Sequence, residues 1–186
     1  IRKTATNMVF SDGNPHARVM LVGEAPGADE DRQGKPFVGV SGMLLDKIFK
    51  AIGLARTGED PAKSLYISNV LNWRPPGNRT PSPDEQAVCA PFVERAFALL
   101  RHKAVLLLGA AASKSVLRPD VGIMKLRGQW QDWQLVDGVS EPVVAPALPT
   151  LHPAFLLRQP QAKRQVWSDL LSLAVRLEPD SVEHHG

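Results

Sequence analysis

The sequence predicts an α/β fold, a three-layer α/β/α sandwich around a central four-stranded parallel sheet. Three observations lead there. Short apolar runs recur at 19–22, 65–70, 104–108 and 147–151. Helical patterns, rather than tight hairpin turns, separate most of them, which is the arrangement of parallel βαβ units. Each run also ends in a polar or glycine-bearing loop, and the loops after parallel strands collect at one edge of the sheet, where ligands bind.

Composition sets the class. A chain of 186 residues, 44% hydrophobic and 22% charged, is long enough for one domain with a sizeable core, so a single domain over 1–186 is expected, with a disordered tail from about 178. No apolar run approaches the ~20 residues of a membrane-spanning helix. The single cysteine, Cys89, excludes an internal disulfide and suits a reducing cytoplasm. No basic-then-apolar leader is read at the start, so the expected location is cytoplasmic. Net charge is only +3, but Lys125, Arg127, Arg158, Lys163 and Arg164 make the later part basic, which permits a nucleic-acid partner.

The elements follow in order. Residues 1–17 are polar, and Asp12-Gly13-Asn14-Pro15 reads as a turn. The aliphatic run 19–22 reads as a buried strand that breaks at Gly23-Glu24-Ala25-Pro26-Gly27, followed by the acidic Asp29-Glu30-Asp31. From Ser41 to Ile52, the residues Met43, Leu44, Lys47, Ile48 and Ala51 recur at helical spacing, and Gly53 is a natural stop. A polar connection over 55–63 leads to the second strand, and then to the proline-rich turn 73–81, which can be neither helix nor central strand.

Ser82-Pro83-Asp84-Glu85 opens a helix with a capping residue, proline at the first position and acids in the first turn. The helix is expected to run to Arg101 with Cys89, Phe92, Val93, Ala96 and Leu100 inward. After the third strand, Gly109-Ala110-Ala111-Ala112 opens another helix. Residues 130–136 read as an antiparallel arm, and 147–151 as a fourth strand broken by Pro149 that delivers His152-Pro153. The last helix is expected over 162–177, with Val166, Leu170, Leu173 and Leu177 inward.

The loops carry the chemistry. Asn69 at a strand end is usually a turn former, but its amide is both donor and acceptor and can pair with the edge of a base. Phe37 is either core or a ring that stacks on a planar ligand. His152 is either a satisfied buried histidine or a neutral donor to an oxygen that becomes anionic during reaction. Among Glu24, Glu30 and Asp31, at least one acid can orient water or stabilise positive charge developing on a sugar. Arg74 and Arg79 in the rigid turn, and the free N–H groups at Gly109 and Ala110, suit contacts to a phosphate backbone.

The blocks Gly23-Glu24-Ala25-Pro26-Gly27-Ala28-Asp29-Glu30-Asp31, Gly34-Lys35-Pro36-Phe37-Val38-Gly39 and Ser41-Gly42 closely resemble the first motif of the family 4 uracil-DNA glycosylases. Ser68-Asn69-Val70, Arg74-Pro75-Pro76-Gly77-Asn78-Arg79, Leu126-Arg127-Gly128 and Leu151-His152-Pro153-Ala154 match that family in the same order, over about 4–170. The resemblance implies hydrolysis of the N-glycosidic bond of uracil in DNA by a monofunctional enzyme acting as a monomer. By position, Phe37 would stack on the flipped uracil and Asn69 would read its edge, beside Gly23 and Ala25. His152 would hold the departing uracil anion, Glu24 would position or activate water, and Glu30 would support the site. Ala25 stands where the family 1 enzymes carry an aspartate, which leaves the water to Glu24. Pro153, Ala154, Phe155, Leu156 and Arg158 would face the DNA.

One departure concerns the cofactor. The family holds an iron–sulfur cluster on four cysteines, whereas this chain matches one of them with Cys89 and places Trp73 at another, so no cofactor is expected. Three rival readings follow from the residues. A covalent binder of abasic DNA is one, but the branch of that kind that this chain resembles carries a histidine in an extra basic loop after the second strand, and none occurs between His16 and His102. A non-catalytic DNA-binding module would not need Glu24, Phe37, Asn69 and His152 together. A phosphate-binding nucleotide domain would be opposed by the acids at 29–31.

Overall fold

The computed structural model describes residues 1–136 and 141–178. Its strands are β1 (Ser11–Gly13), β2 (Val19–Gly23), β3 (Leu65–Asn69), β4 (Ala104–Leu108), β5 (Gln131–Leu135) and β6 (Val143–Thr150). Its α-helices are α1 (Ala28–Gln33), α2 (Val40–Lys50), α3 (Pro83–Leu100), α4 (Ala110–Leu117), α5 (Ile123–Leu126), α6 (Pro153–Arg158) and α7 (Lys163–Leu177). The strands form one mixed sheet in the order β1-β3-β2-β4-β6-β5. The inner four strands are parallel, and an antiparallel strand closes each edge. The expected four-stranded parallel core is therefore present, widened to six.

Alternation along the inner strands divides the core in two. Val19, Leu21, Leu65, Ile67, Leu106 and Leu148 pack against Leu45 and Phe49 of α2, Leu156 of α6, and Val166, Leu170 and Leu173 of α7. Met20, Val22, Tyr66, Val105 and Leu107 pack against Val93, Ala96 and Phe97 of α3. Helices thus cover both faces, as parallel strands buried on both sides require.

Several expectations need correction. The acidic stretch is not loop: 28–33 is a helix with its three acids in the first turn, where the helix dipole favours them. Asp31 is buried and accepts the N–H groups of Thr6 and Asn7 at 2.8 and 2.9 Å, which pins the N-terminal segment. The expected turn at 12–15 is partly strand, since β1 pairs with β3.

Pro149 does not break β6. Its carbonyl accepts the Gly128 N–H, away from β4, and a strand residue's N–H and C=O face the same side. Its missing donor therefore falls beyond the end of the β5 ladder, which stops at Ala147. Phe92 of α3 is exposed, and Phe97 takes the inward place expected of it, stacked on Trp133 at 4.0 Å between ring centroids. The tail beyond 178 lies outside the described residues. No described helix is long and apolar enough to cross a membrane.

Phe97→Ala is expected to cost about 3–5 kcal/mol in urea unfolding, whereas Phe92→Ala should stay within about 0.5 kcal/mol.

Candidate active site

Three parallel strands deliver the site at their carboxyl ends. Gly23 and Asn69 end β2 and β3 directly opposite one another in register. The N–H groups of Val70 and Leu71 donate to the carbonyls of Gly23 and Glu24, both at 3.0 Å, so the pairing continues past the strand ends. His152 follows the end of β6 by two residues and caps α6. Gly109, after β4, donates its N–H to Thr150 at 2.9 Å, and a side chain on it would sit 2.9 Å from the His152 Cβ. Its φ of +95° also favours glycine.

Between these ends lies a slot of about 190 Å³, lined by Ala25, Glu30, Phe37, Gly42, Asn69 and His152 among others. The Phe37 and His152 rings are 5.6 Å apart between centroids and tilted by 34°. Phe37 has φ +53°, a strained conformation for a bulky residue, worth about 1–3 kcal/mol. Two features hold it there. Arg56, from the connection after α2, donates to the carbonyls of Pro36 and Phe37 at 2.7 and 2.6 Å while pairing with Asp46 and Asp12. Gly42 supplies room, since a Cβ there would lie 1.8 Å from the Phe37 carbonyl oxygen. On the slot's other side, a Cβ at Gly23 would come within 2.5 Å of both the Asn69 Oδ1 and the Phe37 ring.

The polar groups differ in how they are committed. Asn69 is 2% exposed, and its Oδ1 has no hydrogen-bond partner among the described residues. Such an atom costs about 1–3 kcal/mol unless a ligand meets it. Glu30 spends its oxygens on the loop, accepting from the Gly39 and Gly27 N–H groups at 3.0 and 3.3 Å. His152 accepts the Ala154 N–H on Nδ1 at 3.0 Å, which assigns the ring proton to Nε2. Burial, with a smaller contribution from Arg158, pushes its pKa down to about 4, so the ring is neutral at physiological pH.

Glu24 is not among the slot's lining residues and instead lines a larger hollow of about 630 Å³ between the first half of α3 and the length of α4, where Gln86, Lys114, Ser115 and Arg118 also line the wall. Partial burial raises its carboxyl above the ordinary 4.5. The two hollows adjoin through Gly23, Glu24 and Ala25, which are consecutive. The arrangement can hold a small flat ring in one hollow and bring a carboxylate to whatever is attached to that ring in the other.

Comparison with known proteins decides the family. The Uracil DNA glycosylase superfamily matches residues 10–171. The chain belongs to the uracil-DNA glycosylase superfamily. It is 40% identical over 154 residues to the Type-4 uracil-DNA glycosylase of Thermotoga maritima, covering 82% of this chain and 73% of that protein. It is 35% identical to the Type-4 uracil-DNA glycosylase of Archaeoglobus fulgidus, covering 91% and 81%. It is also 35% identical to the Type-5 uracil-DNA glycosylase of Thermus thermophilus, there over 56% of this chain and 52% of that one.

For a uracil-DNA glycosylase superfamily member, the residues present do not fit the four-thiolate cluster that the type-4 resemblance implies. Cys89 is the one cysteine of the sequence and is buried on α3. No group of three or more His, Cys, Asp or Glu that could hold a metal occurs among the described residues.

The residues expected to meet DNA divide. Arg74 donates to Asn78 at 2.7 Å, and Arg79 is paired with Glu85 at 2.8 Å, which holds the Glu85 carboxyl at about 2. Ala110 and Arg158 are exposed at the site's rim, and Gly109 is buried beneath it. On α6, Pro153 and Leu156 correct the expectation: both are buried, Leu156 within the core beside α2 and α7. The helical turn carries them inward, leaves Leu157 and Arg158 outermost, and directs Phe155 to a separate hollow beside Met124 and Ala162. Arg56, Lys114 and Arg118 escaped the sequence reading. Gly42, Glu30, Gly27 and Gly39, by contrast, all stand in the motif blocks.

Arg56→Ala leaves two loop carbonyls without their charged donor and is expected to cost about 2–3 kcal/mol in urea unfolding, and Arg56→Lys should recover only part of it.

Proposed function

We propose that this chain, acting as a single domain and a monomer without a bound cofactor, excises uracil from DNA. It draws the nucleotide out of the stack, hydrolyses the bond between the base and the sugar, and leaves an abasic site without cutting the strand. The observation that carries the reading is the slot lined by Phe37, Asn69 and His152, where the Asn69 Oδ1 has no hydrogen-bond partner among the described residues. Its volume suits a single small ring rather than a drug-sized ligand, whose pockets run to roughly 300–1,000 Å³.

The chemistry follows from the groups present. Uracil offers a carbonyl and an N–H side by side, and the Asn69 amide answers both with one donor and one acceptor. Phe37 stacks on the ring and helps offset the few kcal/mol of unstacking. As the bond from the sugar C1′ to the base N1 breaks, its electron pair passes into the uracil ring, and the His152 Nε2–H donates to the resulting anion. A neutral imidazole suits this because it offers a fixed donor without giving up its proton. The sugar gains oxocarbenium character, water adds at C1′, and the Glu24 carboxylate orients that water and takes its proton. Glu30 keeps the loop in shape. The hollow shared by Glu24, Lys114 and Arg118 would take the sugar and neighbouring phosphates, with Arg74, Arg79 and Arg158 at the rim.

The test is base release from a uracil-containing oligonucleotide, single- and double-stranded, with a chelator present and intact mass recorded. Wild-type protein is expected to release uracil without forming a stable adduct. Glu24→Gln should slow a single turnover by roughly 10²–10³-fold, and Asn69→Asp should shift preference toward an amino-bearing edge. Absence of release, or a Glu24→Gln variant at full rate, contradicts the reading.

Activity should also follow pH in a set direction. The rate at low substrate rises with pH as Glu24 loses its proton, above the ordinary carboxylate range. No further limb is expected near 6.5, because His152 stays neutral down to about 4. A rate that climbs through a histidine-like midpoint and follows His152 in variants would contradict the assignment.

A further inference from the structure

The motif Leu126-Arg127-Gly128 lies outside the slot and has no part in the chemistry above. In the fold it meets a buried carboxylate. Asp169 of α7 is 1% exposed. Its Oδ2 accepts from the Arg127 Nε at 3.1 Å and from the Thr150 Oγ1 at 2.6 Å, and its Oδ1 accepts from the Arg127 Nη2. Arg127 also donates to the Gln165 carbonyl, one turn earlier on α7, at 3.3 Å. Gly128, with φ +76°, makes the space, since a Cβ there would lie 2.8 Å from Asp169 Oδ1. Its N–H donates to the Pro149 carbonyl at 2.9 Å.

All these contacts converge on the last two residues of β6. Thr150 is the end of the strand, opposite Leu108. Its side chain is tied to Asp169, and its carbonyl accepts the N–H of Gly109, the residue that packs against the His152 Cβ. Beyond Thr150 no ladder bond guides the chain, so the direction in which it leaves the sheet decides where the His152 ring points. A buried ion pair is a poor way to gain stability, because desolvation offsets its attraction. Its value lies in geometry: a single carboxylate receives three donors from two segments that would otherwise be free to shift.

We propose that Asp169, with Arg127 and Thr150, is a positioning unit for His152, fixing the end of β6 so that the ring enters the slot at the correct depth. The inference rests on the reading of His152 as the group that meets the departing base. Asp169 is not among the slot's lining residues; it acts directly on Thr150 and, by way of Arg127 and Gly128, on Pro149.

Thr150→Val is the informative variant, because it keeps the shape and the Arg127–Asp169 pair while removing one donor. Single-turnover uracil release should fall by about tenfold or more, as expected for a catalytic group slightly misplaced. Melting should stay within about 4 °C of wild type. Substrate affinity should change little, and Thr150→Ser should restore the rate. The ¹⁵N signals of the His152 ring should shift in Thr150→Val and return in Thr150→Ser. Asp169→Asn should change the same signals further. Full activity with unshifted His152 signals in Thr150→Val would overturn the proposal, and so would a rate loss that merely tracks the unfolded fraction. If wild-type protein releases no uracil, the functional reading fails separately, and the His152 spectrum alone decides the positioning claim.

Discussion

The ring of Phe37 and the amide oxygen of Asn69 both close on the bare Cα of Gly23, and this close approach shapes the rest of the site. Any side chain on Gly23 would overlap both neighbours. The ring reaches that place only because its own backbone adopts a left-handed conformation. That strain is held from outside by Arg56 on two consecutive carbonyls, by the missing side chain of Gly42, and by Glu30 tying Gly27 to Gly39. Each support comes from a different segment, so the slot is over-determined, the condition under which strained functional residues persist.

Electrostatics follow from the same closure. Burial keeps His152 neutral, and the Ala154 N–H donated to Nδ1 leaves its proton on Nε2. Among the described residues the Asn69 oxygen has no protein partner, and partial burial raises the Glu24 carboxyl. A narrow slot of about 190 Å³ therefore adjoins a broader hollow of about 630 Å³, with the carboxylate in the broader one. On the proposed reading, that division separates the groups that meet a flat uncharged ring from the one that meets water.

The sequence was most readable where local pattern and final environment agree. β2, β3 and β4 are short strands buried throughout and were legible as apolar runs, whereas β6 starts at Val143, four residues before the run 147–151 that was read, and passes through Pro149 unbroken. The site's lining was legible too, because Phe37, Asn69 and His152 stand in quoted blocks at strand ends or in the loops after them. Helix α1 was not, since six residues between glycines carry too short a period to detect. The inward face of α3 was read with Phe92 in place of Phe97, and Pro91 lies within that helix. Arg56 and Asp169 were invisible for a different reason. Their contacts reach across 19 and 42 residues, and no local pattern records such a partnership.

The most direct measurement is the side-chain amide spectrum of Asn69 during titration with the free bases uracil and cytosine at millimolar concentration. The account predicts that uracil shifts the Asn69 amide resonances, together with ring signals of Phe37 and His152, and that cytosine leaves them nearly unchanged. Equal shifts with both bases, or uracil-induced shifts confined to residues outside the slot, would contradict it.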